Sequence, residues 1–375
     1  MKARFRVRSR TKRPRIANSN IEIRRGSPES VSGVREHRVS QHQELKQALQ
    51  TWAEQRWATP VRVDDVADLG GHSGQTLGFS VRGDDIDETL VIRLAPAGVA
   101  HRGATDVLRQ APLLRALRET GARVAAVVDA GGDPRFFGVP YLIVERLPGR
   151  PLIMGPDAGP SWLPAHQRQL AHELAAAQLA RIHAADVAAP LRDWDRARSP
   201  AQEIDFWTTV LERGRDDGWL ATGRDLRERL LATQPAAPVI GLCHGDYQTN
   251  NILFENGDEL RVTGVVDWEI AGFGATELDL AWFLMMNDAA AWHPLEQRGG
   301  LDLQKLVDSY EQAAARRVHN LDWFRALACF RIAAIAALNI RLHRSGRRPD
   351  AAWERAALSV PIMFEHGRAL LDKTR

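Results

Sequence analysis

Two short polar segments of this chain carry residue types suited to metal and proton-transfer chemistry. The first, CHGDYQTNNILF (residues 243–254), places Asp246 and Asn251 directly after an apolar run. The second, VVDWE (residues 265–269), places Asp267 at the end of another apolar run. Carboxylate and amide oxygens are the hard ligands that Mg²⁺ prefers. A positioned carboxylate can also accept the proton of an attacking hydroxyl group.

The residues between the two segments bring them together. NILF and RVTGVV predict two strands joined by a turn at residues 256–258. A hairpin folded there lays Asp267, after its second strand, beside Asn251, before its first strand. The loop that carries Asp246 enters at the same edge, so one cluster is expected. A turn-forming cluster without chemistry is the alternative, but grouped carboxylates repel each other without a cation.

Four other residues near the cluster have mainly structural interpretations. We expect His244 to be a core histidine that buttresses the loop, and Cys243 to be a core residue. Neighbours on a strand point to opposite faces, which argues against a Cys243–His244 dyad. Glu269 is either a contact behind the metal or a solvated charge. Asp279 is expected to brace the catalytic loop or a helix N-terminus.

The flanking elements predict an α+β fold with two lobes and a ligand groove between them. The small N-lobe (41–148) contains a helix near 41–57, a five-stranded antiparallel sheet and one further helix. The larger, mainly helical C-lobe (149–375) contains the β segment at 239–267. Its predicted helices lie near 166–186, 200–217, 222–233, 276–291, 301–318, 322–344 and 350–372.

The paired motifs HGDYQTNN (244–251) and VDWE (266–269) resemble the signature of the aminoglycoside phosphotransferase and choline kinase superfamily. The resemblance covers about residues 45–370 and is greatest to kinase domains related to those fused to acyl-CoA dehydrogenases. It implies a protein-kinase-like fold that uses ATP and Mg²⁺ to phosphorylate a hydroxyl group of a small molecule. In that interpretation Asp246 is the catalytic base, Asn251 a metal ligand and Asp267 the main metal ligand.

The same resemblance implies nucleotide contacts in the N-lobe. The segment GGHSGQ (70–75) suits a loop that covers phosphates, with Ser73 as a donor and Gly74 allowing close backbone approach. The hinge is expected to present backbone groups to adenine around Glu145 to Leu147.

Two N-lobe positions depart from the family pattern. Arg93 stands where kinases of this shape carry a lysine that contacts phosphates, and arginine is bulkier and forked. We expect it to make the phosphate contact. Gln110 aligns with the usual glutamate partner of that lysine, so the ion pair would be missing. A nucleotide-binding pseudokinase or an AMP-transferring relative therefore remains an alternative.

Charge is distributed unevenly along the chain. The net charge is +3, but residues 1–25 hold ten Lys or Arg and a single Glu. Residues 1–40 are therefore predicted to be a basic disordered extension. Binding of nucleic acid or an anionic surface through this arm is a third alternative.

Cysteine content and hydropathy indicate the compartment. Two cysteines cannot form a disulfide framework, which favours a reduced, cytoplasmic protein. The most apolar stretch, 326–340, contains Arg331 and is predicted to be a buried helix rather than a membrane span.

Substrate choice is expected in the C-lobe helices between residues 276 and 348. Trp282, Trp292 and Trp323 recur there at helical spacing, which is more typical of a core than of a pocket. The region is rich in arginine, which favours a neutral or anionic acceptor over a polycationic aminoglycoside. The sequence leaves the acceptor and the oligomeric state open.

Overall fold

The computed structural model describes residues 28–70, 74–98 and 100–373. The chain divides into two compact units, Met1–Ala48 and Leu49–Arg375. Helix α1 runs from Pro28 to Trp57 and therefore begins earlier than the helix predicted near 41–57. The basic disordered extension of residues 1–40 stays a prediction. Proline suits the first turn of a helix, but apolar spacing begins only near Leu45. The rest of the predicted basic arm lies outside the described residues.

An antiparallel sheet of five strands follows α1, as the sequence predicted, in the order β1-β2-β3-β5-β4. Arg93 in β3 pairs with Thr76 of β2 and Leu142 of β5, so it occupies a central strand. Helix α2 covers Gln110–Glu119. The strands are β1 Arg62–Asp68, β2 Gln75–Gly83, β3 Ile86–Leu94, β4 Val127–Gly131 and β5 Tyr141–Glu145.

Helices dominate the remainder of the chain. The predicted helix at 350–372 is divided into two, because Pro361 has no N–H to continue a helix and is tolerated in a first turn. The helices are α3 Arg168–His183, α4 Pro200–Glu212, α5 Asp217–Ala232, α6 Thr276–Asn287, α7 Leu303–Ala314, α8 Leu321–Arg344, α9 Ala352–Ala356 and α10 Ser359–Asp372.

Two apolar clusters form the core of the second unit. One joins α2, α3, α7 and the catalytic hairpin. The other joins α4, α5, α6, α8 and α10, and it contains Trp282, Trp292 and Trp323 as predicted. Helix α8 is long and apolar enough to cross a membrane, but 72% of its apolar window is buried inside the protein. It is therefore the central helix of this core.

Five short strands surround the predicted catalytic segments. The predicted hairpin forms from β8 (Ile252–Asn256) and β9 (Leu260–Val265), and β6 (Arg150–Pro151) extends it. Strand β7 (Ile240–Cys243) pairs instead with β10 (Gly272–Ala275). The sequence did not predict β6 or β10, because both are very short and depend on partners distant in the chain.

The proposed boundary between the lobes lies near residue 148, between β5 and β6. Since Leu49–Arg375 forms one compact unit, this boundary stays a prediction. The antiparallel sheet followed by a helical region is the expected architecture.

Candidate active site

The β8–β9 hairpin holds two of the predicted metal ligands at one edge. Ile252 at the start of β8 pairs with Val265 at the end of β9. Next to this pair, the N–H of Val266 donates to the carbonyl of Asn251 over 2.9 Å. Asn251 and Asp267 therefore flank the same end of the hairpin, as the sequence predicted.

Asp246 lies in the loop between β7 and β8 and is held by three side chains. Gln248 Nε2 donates to both carboxylate oxygens at 3.0 Å. Asn251 Nδ2 donates to Oδ2 at 3.2 Å and to the Asp246 carbonyl at 2.9 Å. Trp282 Nε1, from α6, donates to Oδ1 at 3.1 Å. The carboxylate is half-buried, so it is oriented while remaining accessible.

Asp267 adopts a left-handed backbone conformation, with φ of +65°. A residue other than glycine is rarely found in this region, and such strain concentrates at functional sites. The Asp267 side chain is 37% exposed and its Oδ1 accepts from Arg93 Nη1 at 2.7 Å. The turn after β9 therefore presents this carboxylate outward rather than burying it.

Arg93 joins the sheet to the turn after β9. Its Nη2 donates to Glu269 Oε2 at 2.5 Å, in addition to the contact with Asp267. Burial lowers the pKa of Arg93, but the two carboxylates outweigh this effect and raise it above its ordinary value. The sequence left open whether Glu269 is solvated or lies behind a metal, and the structure pairs it with Arg93. Gln110, at the start of α2, is buried, and its Nε2 has no hydrogen-bond partner among the described residues.

A buried carboxylate from α6 braces the loop that carries Asp246, as predicted. Asp279 accepts from the backbone N–H groups of His244 at 2.5 Å and Gly245 at 2.9 Å. His183 Nε2 lies 3.4 Å from the same carboxylate. Burial raises the pKa of Asp279, but His183, the nearby His244 and the backbone donor of Gly245 outweigh it, so the pKa is lowered.

His244 has the structural role that the sequence indicated. Its ring is fully buried, and Nε2 lies 2.9 Å from the carbonyl of Val266. Nδ1 accepts from the N–H of Asp246 at 3.2 Å. Both ring nitrogens are thus used to connect the loop to the turn that leads into Asp267.

Gly245 is required by the packing of this loop. Its φ is +86°, and a Cβ at this position would lie 2.7 Å from the carbonyl oxygen of Ile270. Any other residue would therefore push the loop away from the segment after Asp267. The glycine of the HGD motif sets the distance between the two motifs.

Cys243 and its neighbours near this loop have structural explanations, as expected for a core residue. Burial raises the pKa of Cys243 well above its ordinary value, which disfavours a thiolate nucleophile. Donor atoms of His183, Cys243 and Asp279 lie within 4.8 Å of one another. Because Asp279 already accepts from two backbone N–H groups, bracing the loop accounts for this group.

The structure describes the surroundings of three of the predicted nucleotide contacts: Gly74, Glu145 and Leu147. Ser73 lies outside the described residues. At Gly74, a Cβ would lie 2.5 Å from the carbonyl oxygen of Leu94. The close packing of this residue against the Leu94 backbone therefore requires glycine. In the hinge, the N–H of Glu145 donates to Ala126 at 2.9 Å. The side chain of Leu147 packs against Gly264 of β9.

A cavity of about 480 Å³ adjoins the catalytic loop, and sequence reasoning did not identify its walls. Gly245 and the segment after Asp267 line one side, while α4 and α8 line another. Arg331 of α8 is 5% exposed, and its guanidinium lies 4.4 Å from the ring of Trp282. An arginine inside an otherwise apolar helix was the available signal. The sequence interpretation used it to exclude a membrane span and counted it in the arginine-rich region, but it did not place it in a cavity wall.

The sheet, the hairpin and the braced loop define a protein-kinase-like phosphotransferase fold. Residues 70–318 match the Phosphotransferase enzyme family. The chain is 31% identical over 220 residues to aminoglycoside 3'-phosphotransferase of Streptomyces fradiae. The matched region covers 56% of this chain and 75% of that protein. The chain therefore belongs to the Phosphotransferase enzyme family, as the motifs indicated.

A second relative is much longer than this chain. Acyl-CoA dehydrogenase family member 10 of Mus musculus is 26% identical over 292 residues, covering 74% of this chain and 27% of that protein. The chain thus spans about a quarter of the length of this relative.

Solved structures share the fold. A Ralstonia eutropha JMP134 protein assigned to the aminoglycoside phosphotransferases has a TM-score of 0.70 and 22% identity, covering 87% of this chain and 98% of that chain. Amicoumacin kinase hAmiN, solved with AMP-PNP, Ca²⁺ and its ligand Ami, has a TM-score of 0.52 and 15% identity, covering 82% and 88% of the two chains.

Proposed function

We propose that this phosphotransferase moves the γ-phosphate of ATP to a hydroxyl group of a small molecule in a Mg²⁺-dependent reaction. The observation that carries the proposal is the oriented, half-buried carboxylate of Asp246, held by Gln248, Asn251 and Trp282. The preceding residue, Gly245, lines a cavity. The nucleotide-bound amicoumacin kinase with the same fold supports ATP as the donor. ATP as donor and two unpaired cysteines favour a cytoplasmic enzyme.

The donor set at the hairpin edge fits a hard cation. Asn251 uses Nδ2 to hold Asp246, which leaves its amide oxygen for a metal. Asp267 adds a carboxylate that is partly exposed. Bound Mg²⁺ would neutralise charge on the phosphates of ATP. We assign Asn251 and Asp267 as the residues that hold it.

Asp246 acts as the catalytic base in this proposal. The acceptor oxygen forms a bond to the γ-phosphorus while the bond from that phosphorus to the bridging oxygen breaks, and ADP leaves. The acceptor proton passes to the Asp246 carboxylate. The hydrogen bonds from Gln248 and Trp282 keep this carboxylate in one orientation, which favours proton transfer to a positioned group.

The nucleotide contacts remain those proposed from the sequence. Arg93 reaches the hairpin edge from β3, where it can contact phosphates while sharing Asp267 with the cation. The glycine at position 74 allows the loop after β1 to lie close to phosphates, and Ser73 is proposed as a donor there. Glu145 and Leu147 remain the proposed hinge contacts for adenine.

The departures from the family pattern do not require a pseudokinase. Glu269 supplies Arg93 with the carboxylate that Gln110 does not provide. The motif residues for the base and both metal ligands are all present. The basic-arm alternative rests on residues 1–40, of which 1–27 lie outside the described residues, and it stays a prediction.

A phosphate-transfer screen tests the proposal. Purified protein is incubated with Mg²⁺ and ATP labelled at the γ-phosphate, across hydroxyl-bearing small molecules. Asp246→Asn should lower transfer by about 10²–10⁴-fold while ATP affinity, measured by calorimetry, stays unchanged. Binding of Mg²⁺–ATP without transfer to any acceptor or to water would overturn the kinase proposal. An Asp246→Asn protein as active as the parent would overturn only the base assignment.

A further inference from the structure

The cavity beside the loop that carries Asp246 is lined by that loop and by aromatic side chains. Gly245, next to Asp246 in the chain, and residues 269–275 line one side. Phe206 and Trp207 of α4, together with Phe324 of α8, form the aromatic side. A bound molecule of moderate size would therefore touch both the catalytic loop and apolar rings.

Arg331 is the buried cation in the wall of this cavity. Its guanidinium lies between two indole rings, 4.4 Å from the centroid of Trp282 and 4.8 Å from that of Trp207. Its Nη2 donates to the carbonyl of Gly245. Nε has no hydrogen-bond partner, and among the described residues no carboxylate forms a salt bridge with this guanidinium.

The other charged groups of the cavity wall are matched within the chain. Arg109 pairs with Asp195 at 2.9 Å. Arg198 pairs with Glu203 at 3.0 Å. The two remaining carboxylates are also satisfied, Glu269 by Arg93 and Asp279 by backbone donors. Among the described residues of this wall, Arg331 is therefore the arginine whose guanidinium is in contact with no carboxylate.

Burying an arginine without an ion pair is unfavourable, because the cation loses its hydration. Burial accordingly lowers the pKa of Arg331, although the more distant Glu203, Asp246 and Asp279 oppose this. Stacking on two indoles compensates in part. An anionic group entering the cavity would complete the compensation, in the way that guanidinium groups bind carboxylate and phosphate.

We propose that the cavity binds the alcohol acceptor and that Arg331 binds an anionic group, a carboxylate or a phosphate, on that acceptor. The proposal rests on the proposed kinase function. The aromatic side, with Phe206, Trp207 and Phe324, accommodates an apolar portion of the same molecule. The acceptor class is thus a hydroxylated amphipathic anion, and a polycationic aminoglycoside does not fit it.

A binding experiment tests the anion site without any need for turnover. Butyrate, hexanoate and inorganic phosphate are titrated into the ¹⁵N-labelled full chain, with chloride as the ionic-strength control. The indole N–H signals of Trp207 and Trp282, assigned with Trp207→Phe and Trp282→Phe, should shift with carboxylate or with phosphate and saturate. In Arg331→Met the shifts should disappear or require on the order of 100-fold more anion.

A matched variant controls for net charge. Arg341→Met removes the same charge from α8, at a residue that donates to the carbonyl of Arg213 outside the cavity wall, and anion titrations should be unchanged. If the parent indoles respond to none of the anions, or respond equally in Arg331→Met, the proposal is overturned. Preference for butyrate or for phosphate identifies the anionic group.

Kinetics then separate anion binding from positioning of the loop. Hydroxy acids and phosphorylated alcohols are compared as acceptors with their neutral amide or unphosphorylated counterparts and with kanamycin. Arg331→Met should raise KM for the anionic acceptor about 100-fold and leave the KM for ATP within about twofold. An equal loss of kcat with every acceptor and with water would show a positioning residue instead. Preference of the parent for kanamycin or neutral alcohols would overturn the proposed class while leaving the kinase function intact.

Discussion

Two arginines reach the catalytic segments from different parts of the fold and have opposite surroundings. Arg93 comes from the central strand β3 and is paired with Asp267 and Glu269. Arg331 comes from the core helix α8, donates to the carbonyl of Gly245 and stacks on aromatic rings. Two carboxylates therefore form ion pairs with Arg93, whereas among the described residues no carboxylate forms an ion pair with Arg331.

This difference separates two kinds of charged residue. The carboxylates around Arg93 keep its charge fixed near the proposed metal ligands, so the arginine and the proposed cation would share the Asp267 carboxylate. Among the described residues, the Arg331 guanidinium contacts two indole rings and one carbonyl, which do not neutralise a cation. A charge that the fold does not neutralise, in a cavity wall, is the feature that we interpret as a ligand contact.

The largest expected effect tests the catalytic side of this comparison. Asp267→Ala removes the proposed main metal ligand and should lower kcat/KM for ATP by about 10³-fold or more. Steady-state rates at increasing Mg²⁺ measure the effect, and excess Mg²⁺ should restore little of it. Glu269→Gln, which changes the other partner of Arg93, is the control and should cost far less. Similar losses in both variants would mean that pairing with Arg93, rather than metal binding, is what matters.

The second prediction concerns Asp279, the buried carboxylate that accepts hydrogen bonds from two backbone N–H groups. Asp279→Asn replaces an acceptor of two backbone N–H groups with an amide that can accept from only one of them. The free energy of unfolding should fall by about 3 kcal/mol, measured by urea denaturation. Asp308→Asn, on the exposed face of α7, should change it little. An unchanged stability in Asp279→Asn would contradict the bracing role.

The third prediction compares two arginines of α8. Arg325 pairs with Asp288 at 2.6 Å and Asp322 at 3.1 Å, so Arg325→Met should lower the free energy of unfolding by about 2 kcal/mol. Arg331→Met should change it by less than about 1 kcal/mol, because the fold recovers the cost of burying an unpaired cation. Thermal and urea unfolding measure both variants. A larger loss for Arg331→Met than for Arg325→Met would contradict the contrast between paired and unpaired charge.

The smallest expected effect is a pH dependence of the free energy of unfolding that arises from Asp288. Burial raises its pKa, but hydrogen bonds from His366 and the Ala290 backbone, and the charges of His366 and Arg325, outweigh this and lower the pKa from 3.8 to about 2. A lowered pKa means that the folded state favours the ionised form, so the contribution is fully present above about pH 4. This contribution to the free energy of unfolding, on the order of 1 kcal/mol, should be lost as the pH falls towards 2.

Urea unfolding at several acid pH values measures this effect as the difference between the parent and Asp288→Asn. The stability difference between the two proteins should narrow as the pH falls. A constant difference from pH 6 to pH 2 would mean that the Asp288 charge contributes nothing.

The hairpin edge that carries Asn251 and Asp267 could be predicted from the sequence because its contacts are local. The turn between β8 and β9 brings Asn251 beside Asp267 by strand pairing alone. The five-stranded sheet was likewise visible in alternating apolar residues and turns. The two brief strands β6 and β10 were missed, since their pairing depends on partners far away in the chain.

The surroundings of the motifs could not be predicted. Nothing near Arg93 in the sequence indicates Glu269 as its partner, because the two residues are 176 positions apart. Trp282 was assigned to the core, and it is buried there, but its indole N–H also orients Asp246. A core residue and a site residue have the same sequence pattern when one end of a side chain reaches the site.

The sequence by itself determined the family, the sheet and the residues proposed for the base and the metal, because these depend on motifs and short spacing. Only the tertiary structure decided which charges are neutralised. Neutralisation depends on distances between side chains brought together from β3, α4, α6 and α8, and the order of residues along the chain does not encode those distances directly.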